Sequence, residues 1–399
     1  MKHLFVTRDY GPRSGGMPRH QLELCRHVPP DRLALVSTVA MPGDAEFDRG
    51  ERYAIHRQPF AFPRDRLLAN ELRWAHWLAR RCQAGVDVVH SANIRPTGSA
   101  AWWARRRTGV PYVMYAYGTD ILREQHRVAR SAARRTVSAT IFGGAAGVVA
   151  ISEWSARVVT DAMRDMGVRR PPPVASIDLG TDPAQFHPSR DAGALRHRFG
   201  LGAAPLLLTV ANLVPHKGQD TTLRALALLR ADFPELRYLV VGSGHYEPTL
   251  RALATELGVA DRVSFAGELS DQEIAEAYAT ATLYVGPSRV HDRFYVEGFG
   301  ISFVEAAASG IPSVAGDSGG VRSAVRDRET GLLVDPTDPA AVAGAVGALL
   351  RDPERRAAMG RAGRTAVESH YNVQRVSRET IEFAESVAAS AAGRRHARR

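Results

Sequence analysis

Short apolar runs recur along the chain, separated by longer segments in which apolar positions return every three or four residues. The runs read as buried strands and the intervals as amphipathic helices. In the first half the predicted strands are 3–7, 33–39, 54–57, 86–91, 112–117 and 147–151. Helical periodicity fills 17–27, 66–84, 98–108 and 121–142. Strands alternating with helices predict a mainly parallel sheet covered on both faces. A proline-rich break, Arg170-Pro-Pro-Pro-Val174, precedes one more short strand, and the loop-like segment 178–190 contains Pro183 and Pro188. The second half repeats the pattern, with strands predicted at 206–211, 238–241, 263–266, 283–285, 313–315 and 332–334. Helical stretches run from Asp338 onward and end in a polar tail, Gly393 to Arg399. The pattern predicts an α/β chain of two domains, 1–185 and 186–370, then a C-terminal helix over 371–399 that ends in the basic tail; that helix is expected to pack back on the first domain. Ligands of open α/β sheets bind at the carboxyl ends of the strands, so the expected site is a cleft between two such edges.

One stretch concentrates the candidate chemistry. Leu283-Tyr284-Val285 reads as a buried strand and 288–295 as a loop, after which Gly298 and Gly300 loosen the backbone. A short helix is predicted over 301–309, stopped by Gly310 with Pro312 beyond. Glu297 therefore precedes a helix start and Glu305 lies more than one turn inside it. The N–H groups between them favour an anionic or hydroxyl-rich ligand. Two carboxylates flanking such a turn suit a sugar nucleotide, one for sugar hydroxyls and one for the ribose. A helix-capping glutamate and a second on an exposed face is the plainer reading.

Smaller constellations follow other strands. Gly11, Gly15 and Gly16 form a glycine-rich strand-to-helix turn after Thr7, which is either anion-binding or simple turn chemistry. Lys217 lies just past the strand at 206–211, where a mobile cation suits a phosphate. Asp120, after Tyr117 and Gly118, can cap a helix or bind a hydroxyl. Gly242-Ser-Gly244 is no dinucleotide fingerprint, because Glu247 occupies the third glycine position.

Charge alters the picture in one respect. The 399 residues carry a formal net charge of +10, which admits nucleic acid, anionic membrane and acidic substrates as partners. Lysine occurs only at Lys2 and Lys217, so the other basic residues are arginine, a bias that itself accounts for part of the excess. Helix-turn-helix, zinc-finger and aromatic RNA-binding signatures are absent from the sequence, which disfavours a nucleic-acid-binding protein. Arg123, Arg127, Arg130 and Arg134 are spaced to share one face of a single predicted helix, either solvated or resting weakly on an anionic membrane. No apolar run approaches bilayer length and no export leader is evident, so a cytoplasmic location, with at most peripheral membrane contact, is expected. Cys25 and Cys82 suit small buried apolar roles. No two aspartates are separated by a single residue, and no metal site is predicted.

Glu297-Gly-Phe-Gly-Ile-Ser-Phe-Val-Glu305 resembles the Glu-x7-Glu motif of retaining glycosyltransferases of the GT-B fold, most closely glycosyltransferase family 4. With the other motifs the resemblance covers nearly the whole chain. It implies two Rossmann-like doubly wound domains facing each other across a cleft, the first on the acceptor side and the second holding a nucleoside diphosphate sugar. It implies a metal-independent transfer to an acceptor hydroxyl with no cofactor, with a UDP-sugar preferred slightly to a GDP-sugar. Attack would come on the face the leaving group departs from, the leaving phosphate oxygen taking the acceptor proton. By resemblance Lys217, Glu297 and Asn212 are the catalytic positions. Gly15, Gly16, Gly242, Gly244, Glu268, Leu269, Gly298, Phe299, Gly300 and Glu305 fall to the donor, and Asp317-Ser-Gly-Gly-Val321 is similar to a loop facing it. Tyr117 and Asp120 fall near the acceptor or the sugar. Two departures stand out. Asn212 stands where the family usually has an arginine, for which Arg289 is a candidate substitute, and Tyr117 stands where many members have a histidine. A sugar-nucleotide epimerase of the same fold is the rival enzyme.

Overall fold

The computed structural model describes residues 1–13, 15–59 and 67–396, and only the backbone of 67 and 392–396. The start of the helix predicted at 66–84 and the last tail residues lie outside the described residues. The chain divides into two compact units, Met1–Asp178 with Val373–Arg399, and Leu179–Asn372. The divisions fall at Asp178/Leu179 and Asn372/Val373, against the boundaries of 185/186 and 370/371 drawn from sequence. Loop composition marked the crossing segments but not the residue at which packing changes partner.

Among the described residues, the first unit is built on seven parallel strands. They are β1 (His3–Val6), β2 (Leu33–Val39), β3 (Ile55–Gln58), β4 (Val88–Ser91), β5 (Tyr112–Ala116), β6 (Gly147–Ala150) and β7 (Val174–Ser176), in the order β3-β2-β1-β4-β5-β6-β7. Every residue of β1, β4, β5 and β6 is buried, as expected of strands covered on both faces. Direction along the sheet reverses between β1 and β4, which places a topological switch point at their carboxyl ends. The C-terminal helix Val373–His396 belongs to this unit: Ala384, Val387 and Ala388 pack on Val88, Val113 and Ala146.

The second unit has six described parallel strands, β8 (Leu206–Val210), β9 (Arg237–Val241), β10 (Val263–Gly267), β11 (Leu283–Gly286), β12 (Ser313–Gly316) and β13 (Gly331–Val334). Their order is β10-β9-β8-β11-β12-β13, so its switch point lies between β8 and β11. Leu207, Tyr238, Val240, Leu283, Val285 and Val314 form the sheet side of its core.

The helix predicted at 121–142 is two helices, Thr119–Ala129 and Ala132–Gly144. Ser131 is extended (φ −151°, ψ 109°) and its side chain accepts from the Arg134 N–H, so it starts a new helix. The expected arginine stripe is thereby broken. Arg134 turns both arms of its guanidinium onto Glu124, at 2.9 and 2.7 Å, and Arg127 lies 3.8 Å from the same carboxylate. Periodicity could not show a break that one serine rotamer makes. It also missed the short helix Asp44–Arg49, which buries no residue and so carries no apolar signal.

Candidate functional site

In the second unit the candidate residues come from separate strands but share the carboxyl edge of one sheet. The turn Pro215–Lys217 follows β8, Gly242-Ser-Gly244 follows β9, Glu268-Leu269 follows β10, and 287–300 follows β11. β8 and β11 are neighbours, so Lys217 and Glu297, far apart in sequence, meet at the switch point. The Lys217 ammonium lies 2.5 Å from Glu297 Oε2, and Ser288 Oγ donates to the same oxygen at 3.5 Å. Burial pushes the Glu297 carboxyl up, but the charge and hydrogen bond of Lys217 outweigh it and hold the group below the usual glutamate range. The pair is therefore a carboxylate and a cation that an incoming anion and a hydroxyl can each engage.

Two glycines make this arrangement possible. At Gly218 (φ +75°) a Cβ would lie 2.1 Å from the Pro287 carbonyl oxygen, so only glycine lets the lysine turn press against the chain leaving β11. At Gly300 (φ +94°) a Cβ would strike the Phe303 ring at 2.4 Å, and this residue opens the helix Ile301–Ala308. Among the described residues no side chain caps that helix and no acidic residue occupies its first turn, a setting in which a helix start favours an anion. Gly298, unlike Gly300, does not have a positive φ. The Phe299 ring is 1% exposed and packs toward Tyr371, so only its backbone can face a ligand.

Glu305 lies inside the helix and is buried, with Tyr278 O–H donating to its Oε2 at 2.8 Å. Glu268 is exposed and accepts from Ser243 Oγ at 2.7 Å, a bond that ties the turn after β10 to the Gly242–Gly244 turn. Leu269 beside it is half-buried. The Asn212 side chain is exposed. Arg289 does not take the place of the missing arginine, because its guanidinium binds Asp220 and Thr221, both at 2.9 Å.

In the first unit Gly15 (φ 124°) opens the helix Gly16–His27, which likewise has no side-chain cap and no acid in its first turn. Tyr117 follows β5 and is 8% exposed. Its hydroxyl accepts from Gln21 Nε2 at 2.6 Å and lies 3.2 Å from His20 Nδ1. This is a hydrogen-bonded, buried strand-end tyrosine, and its hydroxyl already has protein partners. Burial drives the neighbouring His20 down to about 4, so it is neutral near pH 7. Asp120 Oδ1 accepts from the Tyr117 N–H at 3.1 Å, while Oδ2 is enclosed without a partner. Burial lifts this carboxyl to about 6 against the pull of the surrounding N–H groups.

The supporting residues Tyr278, His20 and Gln21 gave no signal in the sequence, since each reaches its partner only through the fold.

Residues 14–182 match the family profile described as Glycosyltransferase Family 4, and residues 196–366 that described as Glycosyl transferases group 1. A curated relative from Mycolicibacterium smegmatis, a GDP-mannose-dependent alpha-(1-6)-phosphatidylinositol monomannoside mannosyltransferase, is 32% identical over 90% of this chain and 92% of its own. The protein of the same description from Mycobacterium tuberculosis is 32% identical over 95% and 97%. Neither description supports the slight preference for a UDP-sugar, nor the epimerase. Among solved structures, Anabaena Alr3699/HepE in complex with UDP and glucose has a TM-score of 0.77 at 22% identity, covering 97% of this chain and all of that one. Two parallel α/β sheets, these profile matches and these relatives agree with the resemblance read from the Glu-x7-Glu stretch: the chain is a glycosyltransferase of the GT-B fold and belongs to glycosyltransferase family 4.

Proposed function

We propose that the protein is a retaining, metal-independent mannosyltransferase that takes mannose from GDP-mannose and passes it to a hydroxyl of a phosphatidylinositol-mannoside type acceptor. The donor and acceptor classes rest on relatives 32% identical over nearly the full chain. The observation that carries the mechanism is the Lys217–Glu297 pair, 2.5 Å apart at the switch point and beside an uncapped helix start. When the donor binds, Lys217 swings its charge to the diphosphate, and the amides from Phe299 to Ile301 add their dipoles. Leaving-group charge then develops against preorganised donors, the largest usual source of catalysis. Glu297, released from the lysine, accepts from the sugar hydroxyls. Glu305, held by Tyr278, accepts from the ribose. Glu268, Leu269, Gly242 and Gly244 line the base end. With Asn212 in place of an arginine, Lys217 bears most of the cationic load. Tyr117 and Asp120 border the acceptor. Metal independence rests on the absence of an Asp-x-Asp pair from the sequence.

No described helix is long and apolar enough to cross a membrane, so a lipid acceptor would be met at the bilayer surface. The test is transfer from GDP-mannose to phosphatidylinositol monomannoside in the presence of EDTA, with the product's anomeric signals followed by NMR. An α-linked product formed at an undiminished rate is expected. A first-formed β-linked product would reject retention, loss of turnover in EDTA would reject metal independence, and transfer from UDP-glucose alone would reject the donor.

A further inference from the structure

Arg289 stands beside the donor site yet its bonds all run away from a ligand and into the lysine-bearing turn. Its backbone N–H donates to the His216 carbonyl at 2.8 Å, just before Lys217. Its guanidinium spans the other side of the turn, Nη2 to Asp220 Oδ2 and Nη1 to Thr221 Oγ1, each at 2.9 Å. Thr221 in turn donates to the Pro336 carbonyl at 3.0 Å, so the hydroxyl is held from both sides. Both members of the ion pair are mostly buried, with side-chain exposures of 17% for Arg289 and 19% for Asp220. The loop that carries Arg289 closes on the turn a second time, where the Tyr295 ring stacks on His216 at 5.6 Å and 27°. Gly218, between these contacts, presses against Pro287.

We infer that Arg289 is a positioning residue for Lys217: it clamps the Pro215–Asp220 segment to the chain after β11, and so fixes the backbone from which the ammonium reaches the diphosphate of the donor. The inference rests on the proposed role of Lys217 and goes beyond it. A lysine side chain is a flexible stem, and its charge is useful in the site only as far as its backbone is held. A residue bonded to the turn before the lysine and after it removes the freedom that the stem cannot. Because the guanidinium fork is committed to Asp220 and Thr221, Arg289 acts through Lys217 and does not touch phosphate. The departure at Asn212 sharpens this: with one family cation absent, the placement of the remaining one carries more of the binding.

A double-mutant cycle with GDP as the probe tests it. Affinity for GDP is measured by calorimetry for the parent, Arg289→Lys, Lys217→Ala and the double variant, with melting temperatures recorded for each. Lysine at 289 keeps the charge but loses the fork. It is expected to weaken GDP binding about tenfold in the parent and less than about twofold in the Lys217→Ala background, the non-additivity of residues that act as a unit. A role through general destabilisation, or a direct grip on phosphate, predicts equal losses in both backgrounds, and that result overturns the inference while leaving Lys217 in its role. If Lys217→Ala alone leaves GDP affinity unchanged, the reading of the donor site fails and the inference with it. Should Arg289→Lys fold poorly, Thr221→Val removes one end of the fork without stranding a charge, and the same coupling to Lys217 is required of it.

Discussion

Asp120 offers a measurable consequence of the first unit's carboxyl edge. Its Oδ1 is bonded to the Tyr117 N–H, but Oδ2 is enclosed without a partner, and burial lifts the carboxyl from 3.8 to about 6. Between these two values the folded chain holds a proton that the unfolded chain releases. A raised folded pKa contributes stability that is complete below the unfolded value and is lost as pH rises through the folded one. Lowering the pH from 7.5 to 5 should therefore add roughly 1.4 kcal/mol from this group alone. Asp120→Asn keeps an acceptor for Tyr117 and cannot titrate, so it forgoes that gain. His20, whose folded value of about 4 makes acid destabilising below 6.5, acts in parent and variant alike and cancels in the difference. The assay is urea unfolding of both proteins at pH 7.5 and pH 5, followed by tryptophan fluorescence. All five tryptophans, Trp74, Trp77, Trp102, Trp103 and Trp154, lie in the first unit, so the signal reports the unit that holds Asp120. The stability difference should move by roughly 1.4 kcal/mol in the parent's favour at the lower pH. A difference that stays constant, or moves the other way, refutes the reasoning.

Three further outcomes address the donor side. Lys217→Ala should lower mannose transfer by about 10²–10³, the range for losing one preorganised leaving-group stabiliser; a rate within a few-fold of the parent would remove the lysine from the mechanism. Glu305→Ala should weaken GDP binding by roughly 2–4 kcal/mol, the loss of two charge-assisted hydrogen bonds if Glu305 holds the ribose as proposed. Glu297→Ala should spare free GDP and damage transfer, and calorimetry that finds the two variants equally impaired for GDP would undo this division of roles.

Much of this protein was legible in one dimension. Fully buried parallel strands are near-continuous apolar runs, so β1, β5, β6 and β11 announced themselves, and the alternation with amphipathic helices led to two α/β units built on parallel sheets. The Glu-x7-Glu stretch was legible for a related reason: its glycines and glutamates sit within one turn-and-helix, and local geometry is written locally. Features that depend on a partner distant in sequence were not. The Lys217–Glu297 pair needs β8 beside β11, and the Tyr278 bond to Glu305 needs Tyr278 and the helix Ile301–Ala308 brought together by the fold. The fate of Arg289 turned on Asp220 and Thr221 being within reach, which converted a suspected phosphate grip into a clamp. The arginine stripe of the first unit dissolved because one serine preferred to cap a helix. Sequence alone determined most of the elements, the family and the kind of chemistry, since periodicity and short motifs depend on neighbours along the chain. Only the tertiary structure decided which charges meet, which hydroxyls are already spent and which carboxyl binds its proton more tightly, because hydrogen bonds and burial are set by distance in space.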